Sequence, residues 1–102
     1  MLKFSMKDNE LFMQLMIANC EYESYSQIIY ELEELRKYDD EYWQVWSSYI
    51  MSLGIYETLK KKFFINEVFP RVDYDYDYWE VDYVNSELII CLYEDSQEGN
   101  LE

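Results

Sequence analysis

Trp79-Glu-Val-Asp-Tyr-Val-Asn-Ser-Glu-Leu-Ile-Ile-Cys-Leu-Tyr93 is the stretch on which the fold turns. Two apolar-rich runs, Trp79 to Val84 and Glu87 to Tyr93, flank Asn85-Ser86. Polar turn residues between such runs predict an antiparallel hairpin with a two-residue loop, although Asn-Ser is a weaker turn than Asn-Gly. That loop length sets the register: Trp79 opposite Leu92, Val81 opposite Ile90, Tyr83 opposite Leu88. All six are apolar and share one face. The other face carries Glu80, Asp82 and Glu87 beside Ile89 and Cys91.

Just upstream the alternation changes phase. In Asp73-Tyr-Asp-Tyr-Asp-Tyr78 the tyrosines are even-numbered, whereas in Trp79-Glu-Val-Asp-Tyr83 the apolar residues are odd-numbered. A β-bulge or bend between Tyr78 and Trp79 reconciles the two phases. The alternative is that Asp73 to Tyr78 forms a separate strand or loop. Further upstream, Phe64-Ile-Asn-Glu-Val-Phe69 precedes Pro70, and a residue before proline favours extended backbone.

The first half reads as helix. Ser5 with Asp8 is a start signal, and Leu11 to Cys20 is apolar on nearly every side, as in a helix covered by its neighbours. Ser24-x-x-Gln27 has capping-box form. Tyr25, Ile28, Ile29, Leu32 and Leu35 then fall on one helical stripe, and Glu33 stands four residues before Lys37. Asp39-Asp40 starts another helix, with Tyr42, Trp46, Tyr49, Ile50 and Leu53 on its stripe. Gly54 reads as a C-cap or kink. Ile55 to Phe63 reads as a short further helix ending in Lys60-Lys61-Lys62, a favourable charge at a helix C-terminus. Helices followed by strands predict an α+β fold, with about three or four N-terminal helices packed on a C-terminal antiparallel β-hairpin or small sheet. Residues 1–95 are read as one acidic globular domain and 96–102 as a frayed polar tail.

Charge is the outlying property. Twenty-two Asp and Glu face eight Lys and Arg, with no His, for a formal charge of −14 on 102 residues. Solubility alone asks for a magnitude of roughly 2 to 8 in a small domain. Yet half the residues are hydrophobic and a fifth aromatic, enough for a folded core. Nucleic acid and anionic membranes repel such a surface, so neither is expected as a direct partner. Cys20 and Cys91 sit in apolar runs and read as buried, reduced thiols. No run approaches the roughly 20 apolar residues of a membrane span, and a cytoplasmic protein is expected.

Catalytic chemistry is not expected. Without His the usual base near neutral pH is missing, and no nucleophile triad, phosphate-binding Gly loop or CxxC pair stands in the sequence. Asp73, Asp75 and Asp77 open like an EF-hand loop. Its sixth position is then Tyr78 where Gly is needed, and its twelfth is Val84 where Glu is needed. Neither metal nor cofactor is expected.

The acids themselves are the candidate site. Every charge after Arg71 is negative. Asp73, Asp75, Asp77, Glu80, Asp82, Glu94 and Asp95, interleaved with Tyr74 and Tyr76, form the expected partner-binding surface; Tyr83 is assigned to the core. The hairpin register places Asp77 opposite Glu94, a like-charge pair that costs sheet stability. Alternate strand residues lie about 6.6 to 6.8 Å apart, close to the rise between phosphates two nucleotides apart on one DNA strand. Glu31, Glu34, Asp39, Asp40 and Glu41 form a second cluster, diluted by Arg36 and Lys37. The expected partner is a basic protein, a nucleic-acid-binding enzyme or complex. In size, charge and aromatic content the chain resembles the small acidic inhibitors that phages direct against host defences, including anti-restriction and anti-CRISPR proteins. That resemblance implies nucleic-acid mimicry and transfers no residue roles. The alternatives are an immunity protein or antitoxin neutralising a basic toxin such as a nuclease, and a non-inhibitory adaptor or assembly subunit.

Overall fold

The computed structural model describes residues 1–72 and 76–92, and of Tyr76 and Asp77 the backbone only. The order is β1 (Leu2–Ser5), α1 (Glu10–Glu34), α2 (Asp40–Phe63), a π-type turn over Phe64–Val68, a 3-10 turn over Phe69–Arg71, β2 (Tyr76–Asp82) and β3 (Glu87–Leu92). The class is α+β as expected; among the described residues there are two long helices rather than three or four, and the strands form a small three-stranded antiparallel sheet rather than a hairpin alone. The chain divides into two units, Met1–Phe12 with Lys62–Glu102, and Met13–Lys61.

In the first unit the strand order is β1-β3-β2. β3 is therefore central, and Leu88, Ile89, Ile90 and Cys91 are all buried. Leu2 and Phe4 of β1 stand opposite Ile90 and Leu88, which in turn face Trp79 and Val81 of β2. These six share one face. Aromatic rings of the same unit gather with them: Phe63 and Phe64 lie 6.0 and 5.9 Å from Trp79, and Phe12 lies 6.1 Å from Phe63 and 5.7 Å from Tyr83. Full burial of Phe12 and Phe63 is worth roughly 1.5–3 kcal/mol each.

The hairpin exists where the sequence places it, but slipped by two residues. Trp79 pairs with Ile90, not Leu92, and Val81 with Leu88, not Ile90. An even slip keeps each side chain on its face, so the apolar face survives. The loop is correspondingly the four residues Tyr83–Ser86. Asp82 holds it: Oδ1 accepts from the Asn85 N–H at 3.1 Å and Oδ2 from Asn85 Nδ2 at 2.8 Å. Ser86 takes the left-handed conformation at φ 53°, and its carbonyl accepts from the Met6 N–H at 2.7 Å. The phase change falls between Tyr76 and Tyr78, where the ladder is irregular; Tyr76 pairs with Leu92 and Tyr78 with Cys91.

β1 was not foreseen. Its partner is the far end of the chain, and Leu2-Lys-Phe-Ser5 is too short for alternation to stand out. Ser5 consequently ends a strand rather than starting a helix. Asn9 is the N-cap of α1, its Oδ1 accepting from the Phe12 N–H at 2.8 Å. Asn9 Nδ2 donates to Glu67 Oε1 at 2.8 Å, and Arg71 Nη1 donates to Glu67 Oε2 at 2.7 Å. The Arg71 guanidinium also lies over the Phe4 ring at 5.2 Å. This network, with Val68 fully buried, holds Phe64–Phe69 in wide helical turns. Phe69 is helical at φ −55°, ψ −43°, its N–H donating to the Phe64 carbonyl. The extended preference before Pro70 is thereby overridden.

The second unit is an antiparallel helical pair. Tyr22 of α1 packs on Tyr49 and Tyr56 of α2, with ring centroids 6.4 and 4.8 Å away. The Tyr42 hydroxyl donates to Glu33 Oε1 at 2.8 Å, so Glu33 bonds to α2 rather than pairing with Lys37. α1 ends in a Schellman turn: Lys37 N–H donates to the Leu32 carbonyl and Arg36 N–H to that of Glu33, with Arg36 at φ 53°. Asp39 starts α2 as expected, accepting from the Tyr42 N–H at 3.3 Å.

Two expected helix breaks are absent. Ser24 lies inside α1, and its hydroxyl donates to the Cys20 carbonyl at 2.8 Å. A mid-helix serine satisfies itself this way, and no chain reversal precedes it to free N–H groups for a cap. Gly54 lies inside α2 with helix on both sides. Cys20 is exposed, while Cys91 is buried, and both are free. The reading of Cys20 as buried fails because Leu11–Cys20 is covered on one side only. Phe12, Leu15 and Ala18 are buried, whereas Met13 and Ile17 are exposed.

Nothing lies within 4 Å of a Cβ built at Gly54. Gly54→Ala should therefore stabilise the protein by about 0.5–1 kcal/mol, read as a higher thermal midpoint. Ser24→Ala should be neutral to stabilising by a few tenths of a kcal/mol, because Ala suits a helix interior. A loss near 1 kcal/mol there would mean that Ser24 caps a helix after all.

Candidate acidic binding surface

The expected surface divides by what the structure describes. Asp73, Tyr74, Asp75, Glu94 and Asp95 lie outside the described residues, as do residues 96–102. So, therefore, does the pairing of Asp77 with Glu94. Tyr76 and Asp77 belong to β2 by their backbone, at the irregularity. The remaining members, Glu80 and Asp82, stand on the sheet face opposite to Trp79 and Val81.

That face has a definite order. Lys3 and Glu80 flank Ile89, and Ser5 and Asp82 flank Glu87. Asp82 and Glu87 are thus a like-charge pair directly opposite each other, a destabilising arrangement. Four local features compensate. The side-chain hydrogen bond from Asn85 is the largest cause holding the Asp82 carboxyl below its ordinary 3.8, followed by the Asn85 and Val84 backbone N–H groups, with the Lys3 charge adding least. Lys3 therefore dilutes an acidic face that looks undiluted from the order of charges after Arg71.

The second cluster lies around the connection between α1 and α2. Glu31, Glu34, Asp39, Asp40 and Glu41 are all exposed, as are Arg36 and Lys37. Asp40 and Glu41 occupy the first turn of α2, where acids complement the helix dipole. Glu31 and Glu34 occupy the last turn of α1, where no basic residue stands and acids oppose it. Among the described residues the ion pair between side chains is Glu67 with Arg71, and none of these acids takes part in one.

Apolar exposure is the feature that sequence reasoning missed. Trp43, Ile50, Met51 and Ile55 of α2 are 55–70% exposed, and so in part are Met13 and Ile17 of α1. The signal was in the sequence, in helices apolar over more than one stripe. For Leu11 to Cys20 it points to burial on nearly every side, which needs more neighbours than a two-helix unit supplies; in α2 the expected stripe of Tyr42, Trp46, Tyr49, Ile50 and Leu53 includes Ile50, which is exposed. Tyr78, interleaved with the acids, is also exposed.

Among the described residues no group of three or more His, Cys, Asp or Glu is placed to hold a metal ion. None of the helices there is long and apolar enough to cross a membrane. Compared with protein-family models, curated proteins and solved structures, the chain matches none.

Asn85→Ala should raise the Asp82 pKa toward its ordinary value, read by carboxyl NMR titration. The sign for stability follows from the depressed carboxyl. Its contribution is fully present above the ordinary value and is lost as pH falls through the lower folded value. Removing Asn85 should therefore lower stability at neutral pH and flatten its decline on the acid side.

Proposed function

We propose that this protein is a small acidic inhibitor that binds the basic nucleic-acid-binding surface of a target protein, in the manner of a nucleic-acid mimic. One observation carries the reading: the exposed acids around the α1–α2 connection, none of them in an ion pair, with Glu31 and Glu34 at the unfavourable end of α1. Stability alone favours neither the dipole conflict nor a formal charge of −14. A partner rich in Lys and Arg turns both into attraction, speeding encounter and making it salt-sensitive. Asp73, Asp75 and Asp77 are proposed as a second row of binding acids in the sequence. No catalytic step is assigned to the chain, and the partner, not nucleic acid, is the ligand.

The adaptor or assembly reading has an observation of its own, the exposed Trp43, Ile50, Met51 and Ile55 on α2. An immunity protein against a basic nuclease would use the same acids and differ in its partner.

Capture of partners from the native host, followed by competition with duplex DNA and RNA, tests the proposal. The expected result is a protein with a basic nucleic-acid groove, displaced by nucleic acid and by added salt. Retention of every partner at high salt and in excess nucleic acid would sink it. With the partner in hand, Glu31→Gln, Glu34→Gln, Asp40→Asn and Glu41→Gln together should weaken binding about tenfold or more. A parallel Asp73→Asn, Asp75→Asn, Asp77→Asn variant measures the share of the other row.

A further inference from the structure

We infer that the outer face of α2 is an isologous interface, on which a second copy of this chain packs with its α2 antiparallel. The inference does not rest on the acidic-inhibitor reading, but it shares Asp40 and Glu41 with that surface, so a basic partner and a second copy compete for these two acids. It begins from exposure. Trp43 is 60% exposed, Ile50 62%, Met51 70% and Ile55 55%. On a helix these positions fall within one broad stripe, together with the exposed Ser47 and Gly54. The stripe lies away from the buried or half-buried Tyr42, Tyr49, Ser52 and Tyr56, the side on which Tyr49 and Tyr56 meet Tyr22. Four large apolar side chains exposed on one helix face mark an interaction surface, even with small or polar residues between them.

Charge selects the occupant. Asp40 and Glu41 are exposed at the start of α2, and Lys61 and Lys62 are exposed at its end. Both pairs stand ten and eleven residues from Met51, the most exposed of the four apolar residues. At 1.5 Å per residue each pair is about 16 Å from that midpoint. A two-fold axis through Met51 reverses one helix on the other. It sets Asp40 and Glu41 of each copy against Lys61 and Lys62 of the second copy, at both ends. Isologous contacts require this self-complementarity. A parallel pairing would instead oppose acid to acid and base to base. α1 has no basic residue in its last turn, so its own exposed apolar residues carry no such match. Lys60 belongs elsewhere, 5.8 Å over the Tyr56 ring.

The net charge of each copy opposes association, so the contact depends on the apolar stripe and the two local charge matches. Every substitution needed to test it falls on an exposed residue, and circular dichroism confirms that each variant stays helical. Wild-type protein should sediment at twice its 12.6 kDa mass at high micromolar concentration. Ile50→Glu should sediment as monomer.

The charge arms are decisive. Lys61→Glu with Lys62→Glu leaves only acids at both ends of the stripe, and Asp40→Lys with Glu41→Lys leaves only bases. Each variant alone should lose dimer, with a dissociation constant at least tenfold weaker. An equimolar mixture of the two should restore it as a heterodimer, because both junctions are again attractive. All four substitutions in one chain should restore a homodimer. A wild-type monomer at high micromolar concentration overturns the proposal. So does a dimer indifferent to Ile50→Glu, or a mixture of charge variants that stays monomeric.

Discussion

β3 is hydrogen-bonded on both edges, to β1 and to β2, and Leu88, Ile89, Ile90 and Cys91 are buried in succession. The rest of the sheet unit follows from that double burial. A strand closed on both edges satisfies its own backbone groups and offers no template for a stray strand. Four buried residues in succession lie on both faces of the strand, and on the face of Leu88 and Ile90 the rings of Phe12, Phe63, Phe64 and Trp79 converge. Pairing on both edges explains why β1 belongs to the same unit as the hairpin: the strand that completes the sheet is the first in the sequence, and the strand it pairs with is the last of the described ones.

A second tie keeps this arrangement in register. Asn9 uses its carbonyl oxygen to start α1 and its amide to hold Glu67, while Glu67 holds Arg71. Arg71 in turn lies on Phe4 of β1. A helix start, a wide turn and an edge strand thus share one polar cluster, and the only proline is accommodated within it. The Met6 N–H reaches the Ser86 carbonyl, linking the β1 exit to the hairpin turn.

The helical unit follows a different logic. Its two helices meet through tyrosines, and the buried contribution of each helix is narrow. What remains outside is both acidic and apolar: the charged connection at one end of the pair and the α2 stripe along its side. The two features suit two different occupants, a basic partner for the acids of the connection and a second copy for the stripe, with Asp40 and Glu41 common to both. The sheet face around Asp82 is less free than the helical connection, because Lys3 and Asn85 already engage its charge.

Local chemistry was enough to place several elements. Alternation from Trp79 to Leu92 determined the hairpin and its faces, and Asp39 determined the start of α2. The acidic excess and the lack of histidine are properties of composition alone. Loop length was only partly local: Asp82 holds Asn85 three residues on, but the Ser86 carbonyl is bonded by the distant Met6 N–H, and the register slips by two. The helix breaks were not local: Ser24 and Gly54 carry the residue types of termini, and only continuous backbone on either side makes them interior. β1 needed its distant partner, and Cys20 needed to be seen on the uncovered side of α1. Sequence patterns record what each residue prefers over a few neighbours. Which face is covered, and by what, depends on contacts between residues far apart in the chain, and those existed only once the chain had folded.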